Sequence, residues 1–143
     1  MSKIVERMFD IIEMLQGHFG NSIMINKCYD PIVYIQSANP TKFPLILVSY
    51  KGSLYSSSKL YPCSSTFEIY FIDIKKKADG LLDLMQDVYN FFSQNFIQTK
   101  EEGKIVTGQK LSYQDQSFHA ENNEFVIYVQ RYSLLIPWLA RSW

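Results

Sequence analysis

The sequence predicts an α+β fold: a largely antiparallel sheet with two main helices packed on one face, in a single domain spanning residues 1–143. Three observations predict it. An alternating run, Ser65-Thr66-Phe67-Glu68-Ile69-Tyr70-Phe71-Ile72-Asp73-Ile74, passes through Lys75-Lys76-Lys77-Ala78 into an amphipathic pattern that reaches Phe96. A second helical pattern lies at the N-terminal end, and strand patterns follow each helix, so the order is helix, strands, helix, strands. No repeat, low-complexity tract or linker breaks the 143 residues, a length that buries one core without disulfide or metal staples.

Ser2 is placed to cap a first helix in which Ile4, Val5, Met8, Ile11, Ile12 and Leu15 recur at spacings of three and four, with Gly17 placed to end it. Gly20-Asn21 turns the chain into two short β-prone pieces, Ser22 to Ile25 and Ile32 to Ile35, separated by the turn former Asp30-Pro31. Asn39-Pro40-Thr41-Lys42 is a further turn, after which a central strand begins at Leu45, because Pro44 is tolerated only at a strand start or a sheet edge. Lys51 to Ser64, rich in Ser and holding Tyr55 and Tyr61, reads as a surface loop or hairpin tip.

The next strand places Phe67, Ile69 and Phe71 on one face and Glu68, Tyr70 and Ile72 on the other. Asp79 is the expected N-cap of the second helix, whose core stripe is Leu81, Leu84, Met85, Val88, Phe91 and Phe92. Lys100 to Gly103 closes that unit, and Lys104 to Phe118 gives one or two strands broken near Gly108. A polar turn centred on Asn122-Asn123 precedes a last alternating strand, Phe125 to Ile136. In that strand Phe125, Ile127 and Val129 oppose Val126, Tyr128 and Tyr132. Residues 137–143 form a short tail carrying Trp138 and Trp143.

Fourteen basic residues balance fourteen acidic ones, so no net field steers the chain to nucleic acid or to an anionic membrane, and neither partner is expected. The N-terminal segment carries Glu6 and Asp10 and no long apolar run. It is expected to be neither a signal peptide nor a membrane span, and the protein is expected to reside in a cytoplasm. Ten Tyr and ten Phe exceed what one small core easily hides, which favours strands and protein interfaces.

Tests for chemistry return ordinary readings. Cys28 and Cys63 belong to no metal-ligand spacing, and both are expected as buried free thiols. A Cys63 nucleophile with His119 or His18 as base is outweighed by a small apolar cysteine and a surface histidine. Asp79, Asp83 and Asp87, near Asp73, stand at helical spacing and read as a solvated helix face before a metal site. Lys75-Lys76-Lys77 after an aromatic strand reads as a strand-to-helix corner before a single-strand nucleic-acid platform. No phosphate-binding glycine loop, nucleophile elbow or zinc-protease motif occurs, so no catalytic, cofactor-binding or metal residue is assigned. The residues expected to make protein contacts are Tyr55 and Tyr61 in the Ser-rich segment and Trp138 and Trp143 in the tail.

The order of elements, taken with Phe67-Glu68-Ile69-Tyr70-Phe71-Ile72, the helix start Ala78-Asp79-Gly80-Leu81-Leu82-Asp83-Leu84-Met85, and Phe125-Val126-Ile127-Tyr128-Val129-Gln130, resembles the tail terminator, or tail completion, proteins of bacteriophages and prophages. The resemblance implies a non-enzymatic subunit that needs no cofactor. It would form a homo-oligomer, usually a hexameric ring, on the last ring of the tail tube, stop tube polymerisation and present a surface to the head-tail connector. The implied location is the virion tail, with assembly in the host bacterial cytoplasm. A competing expectation is a small dimeric ligand-binding or regulatory domain with an apolar pocket between helix and sheet.

Overall fold

The computed structural model describes residues 3–55, 63–101, 104–107 and 110–136. It is an α+β fold. Helix α1 (Lys3–Phe19) buries Ile4, Ile11, Ile12 and Leu15 of its expected apolar stripe, while Val5 and Met8 are half-buried. It runs through Gly17 and stops at Gly20. There a positive φ of 62° suits a residue without Cβ, and the Gly20 N–H donates to the Gln16 carbonyl at 2.8 Å. Strand β1 (Met24–Lys27) follows, two residues later than the β-prone piece predicted there.

The segment expected as a strand at Ile32 to Ile35 is instead helix α2 (Pro31–Ala38). Asp30 is its N-cap: the extended backbone lets Oδ1 accept from the Ile32 and Val33 N–H groups at 2.9 and 3.2 Å, while Pro31 fills the first helical position. Asn39 closes the helix in the left-handed region at φ 46°, its N–H donating to the Ile35 carbonyl. The cap outweighs the β-branched run, whose propensity deficit is only tenths of a kcal/mol per residue. Asp30→Ala should lower stability by about 1 kcal/mol, read as a reduced urea midpoint with unchanged m-value.

Strands β2 (Leu45–Tyr55) and β3 (Cys63–Ile74) form a long hairpin paired through Tyr55 opposite Cys63, so of the two expectations for this stretch, surface loop or hairpin tip, the hairpin holds and its ladder runs further than expected. A bulge between Tyr50 and Gly52 lets the pairing continue. A 3-10 turn at Lys75–Lys77 leads into helix α3 (Asp79–Gln94). Asp79 is not its N-cap, contrary to expectation. Ala78 occupies that position in a helical conformation continuous with the 3-10 turn, and Asp79 sits in the first turn, where a carboxylate favours the positive helix end. The helix ends two residues short of Phe96, with Asn95 extended and its Nδ2 donating to the Phe91 carbonyl at 2.8 Å.

Strands β4 (Gln98–Glu101) and β5 (Lys104–Thr107) make a separate two-stranded hairpin; β4 was not expected. Strands β6 (Ser112–Glu121) and β7 (Phe125–Ile136) complete a five-stranded sheet of order β1-β2-β3-β7-β6, antiparallel except where β1 joins β2. The turn between β6 and β7 is held by Asn122, whose Oδ1 accepts from the Glu124 and Phe125 N–H groups.

Each face of the sheet has its own core. On one face Ile46, Val48, Phe67, Ile69, Phe71, Tyr132 and Leu134 pack with α1 and with Leu81, Leu84, Met85, Val88 and Phe92 of α3, so the two main helices share a face as expected. The other face buries Leu45, Leu47, Tyr70, Ile72, Ile127 and Val129, with Tyr34 and Ile35 of the unexpected α2 packed against them. Strand β3 is therefore covered on both sides.

Candidate interaction surface

The α2 side of the sheet changes character along the strands. At one end α2 covers the apolar row. Further along, the registers place Ser49, Glu68, Arg131 and Asp115 side by side across β2, β3, β7 and β6. Arg131 spans the row: its Nε lies 2.8 Å from Glu68 Oε2 and its guanidinium lies 2.7 Å from Asp115 Oδ1. Lys51 Nζ approaches Glu68 from the other side at 3.7 Å, and the Tyr70 hydroxyl donates to Glu68 Oε1 at 2.9 Å. Glu68 is nearly buried, so these partners replace water around its carboxylate.

The electrostatics follow from these contacts. The Asp115 hydrogen bond and the Glu68 charge hold Arg131 above its ordinary pKa. Burial, reinforced by Glu68, pushes the Tyr70 hydroxyl up. Lys51 also donates to the Tyr29 carbonyl at 3.1 Å and sits over the rings of Tyr29 and Tyr70. Tyr29 itself is 90% exposed.

Beyond this row, Ser64 pairs with Leu54 on one side and Leu135 on the other, and both leucines are exposed. At the opposite end, between α2 and the β6–β7 end of the sheet, lies an apolar cleft of about 240 Å³. Its walls include Ile32 and Ile35 of α2, Ala120, Phe125 and Ile127, with Gln36, Glu121 and Asn122 also lining it.

Two edges flank the sheet. Strand β1 is a four-residue edge, whereas β6 is a ten-residue edge exposed at every position but Ala120. Bulges at Tyr113/Asp115 and Phe118/Ala120 interrupt its pairing with β7. Such an edge presents unpaired backbone groups that another strand can meet.

Of the four residues expected to make contacts, Tyr55 is the last residue of β2, at the far end of the hairpin. Tyr61, Trp138 and Trp143 lie outside the described residues. The Cys63–His119 pairing is contradicted by register. His119 lies in β6 between residues level with Phe71 and Ile72, so Cys63 is eight or nine positions away along β3, roughly 26–30 Å at strand rise. His119 instead meets the Tyr70 ring edge-on at 5.0 Å. His18 stacks on Phe91 and reaches Asp87 Oδ1 at 3.1 Å, so Asp87 serves a helix-to-helix contact. Lys75 pairs with Glu121 at 3.3 Å, consistent with a structural corner. Among the described residues no group of three or more His, Cys, Asp or Glu is placed to hold a metal ion, and no helix is long and apolar enough to cross a membrane.

Cys28 is a free thiol pushed up to about 12 from 9.0 by burial; Asp30 and Glu68 add to the rise, and Lys51 opposes it. The fold favours the neutral thiol, so its contribution is complete below pH 9.0 and is lost as pH rises toward about 12. In a Cys63→Ser background, Cys28 should resist iodoacetamide near neutral pH and react promptly once denatured. Prompt labelling of the native protein would contradict this burial.

Sequence signals for this surface were present in part. Glu68 and Arg131 are charges inside otherwise apolar alternating strands, which marks positions needing partners. The cleft gave no signal, because it depends on α2 being a helix. No protein-family model matches the chain, and no curated protein matches its sequence.

Proposed function

We propose that the protein is a structural assembly subunit of the tail terminator kind, closing into a ring on the end of a phage or prophage tail tube and presenting the head-joining surface. The observation that supports this reading is the pair of edges on opposite sides of one sheet, β6 exposed along its length and β1 short, with the Ile25 carbonyl and the Lys27 N–H already held by Gln16 and Asn26. The strand directions make β6 run opposite to β1. A neighbour related by rotation about an axis along the strands would then set its β1 antiparallel to β6, a heterologous contact that closes into a ring. The balanced charge and the aromatic surplus suit contacts of this kind.

Polymerisation of a purified tail-tube protein tests the reading. Substoichiometric addition of this protein should shorten the tubes in proportion to the rings available, measured by sedimentation. Unchanged tube length with the protein left in the supernatant would count against it.

The cleft beside α2 favours a second reading, a small ligand-binding domain, since its lining is apolar and it lies between helix and sheet. Its volume is below the usual range for drug-sized ligands, which limits a guest to about one ring system. A raised melting temperature with small aromatic compounds, in a protein that leaves tube growth unchanged, would favour this alternative.

A further inference from the structure

We infer that the cleft beside α2 receives the Trp-bearing segment 137–143 of a second copy of the chain. The contact runs end to end along the strands, a geometry separate from the side-by-side ring of β1 against β6. The receiving surface is unusual for an exposed helix. No residue of α2 carries a charge, yet Ile32 and Val33 are 42% and 57% exposed, and Tyr29 stands open just before it. An apolar helix normally lies buried on all sides. Here one side is on the sheet, and the other flanks a cleft of about 240 Å³ walled by isoleucine, alanine and phenylalanine, a size suited to an aromatic ring.

The largest aromatic side chains of the sequence fall in one place. Both of its tryptophans lie in Pro137-Trp138-Leu139-Ala140-Arg141-Ser142-Trp143. Strand β7 fixes where that segment starts. Phe125 and Ile127 are at the cleft end, level with Ile74 and Ile72, whereas Ile136 is at the other end, level with Cys63. From Ile136 back to Ile127 is nine strand positions, about 30 Å. From Ile136, Trp138 can reach about 7 Å along the backbone and Trp143 about 25 Å at full extension. The backbone therefore falls short of its own cleft even when doubled straight back. The cleft of a second copy stacked end to end along the strands carries no such limit.

Donor and receptor at opposite ends of one subunit make a heterologous contact that joins copies end to end, apart from the lateral β1–β6 contact of the ring. The tail also carries Arg141, and at the cleft the half-exposed Glu121, which pairs with Lys75 at 3.3 Å, is a carboxylate of opposite sign for it to share.

Tryptophan emission of the purified full-length protein, followed against concentration beside its sedimentation mass and without any tail tube, tests this directly. The chain has no other tryptophan, so emission reports the segment alone. The expected result is a shift to shorter wavelength that rises with concentration and coincides with self-association. Ala120→Phe, which fills the cleft, and Ile32→Glu, which charges its wall from an exposed position, should each raise the required concentration by about tenfold or more while retaining native circular dichroism. Mixing Ile32→Glu with a Trp138→Ala/Trp143→Ala variant should restore pairing, because one partner keeps the tail and the other keeps the cleft. Concentration-independent emission at any wavelength would overturn the inference, as would cleft variants that associate like the wild type. So would indole raising the melting temperature while the protein stays monomeric, which would give the cleft to a small ligand. Tube capping is judged separately, so failure here leaves the ring reading standing on its own test.

Discussion

Gln130→Ala should lower the stability of the subunit by about 3 kcal/mol, the largest effect expected from any single polar side chain in the structure. Gln130 is fully buried on the face of β7 that meets α3. Its Nε2 donates to the Met85 carbonyl of α3 at 2.8 Å and to Gln116 Oε1 of β6 at 3.1 Å, and its Oε1 accepts from the Tyr132 hydroxyl at 2.9 Å. One amide thus ties the helix, an inner strand and the edge strand together. Truncation strands the Tyr132 hydroxyl, which is buried in the aromatic cluster of Phe92 and Tyr113, and leaves a void. The loss should appear as a lower urea midpoint. Adding Tyr132→Phe should recover part of it, since the orphaned hydroxyl is then gone. Full additivity of the two changes would contradict this coupling.

Glu68→Ala should cost about 2 kcal/mol, less than the 3–5 kcal/mol of a fully buried pair, because Arg131 and Lys51 both retain access to water. Arg131 keeps Asp115, but the carboxylate that placed it over β3 is gone, and the Tyr70 hydroxyl loses its acceptor. Glu68→Gln should recover about half of the loss by keeping an acceptor for Tyr70 and Arg131 without the charge. Equal stability of the Ala variant and the wild type would mean that solvent replaces the network at no cost.

The elements that were legible in the sequence are those in which one physical signal dominates. In β3 the period-two alternation of Phe67, Ile69 and Phe71 against Glu68, Tyr70 and Ile72 is the division of side chains between the two cores. In α3 the spacing of Leu81, Leu84, Met85, Val88 and Phe92 is the buried stripe, while Phe91, expected in it, is half-buried and stacks on His18. The start of β2 at Leu45 followed from Pro44 being unable to donate to a ladder.

Where two local signals compete, the sequence is ambiguous. In α2, Ile32, Val33 and Ile35 favour a strand, but Asp30 and Pro31 form an N-terminal helix signature that also reads as a turn. In α1, Gly17 is tolerated inside the helix at a cost near 1 kcal/mol, and only Gly20 takes the left-handed conformation that ends it. The composition of Lys51 to Ser64 suits a surface loop or a hairpin tip equally; the structure makes it a hairpin, in which pairing of Ser53 with Ser65 and Leu54 with Ser64 continues the ladder.

The candidate surface was less legible because it is made by register. Glu68, Arg131 and Asp115 are far apart in sequence, and only the β3–β7–β6 pairing brings them into one row. The cleft has the same origin, since Ile35 and Phe125 meet there only after α2 crosses the sheet.

Electron microscopy of tail tubes mixed with this protein under assembly conditions addresses termination most directly. The expected result is a ring of density at the tube end and tubes that stop growing once it is present. Tubes that grow unaltered and carry no bound protein would contradict it.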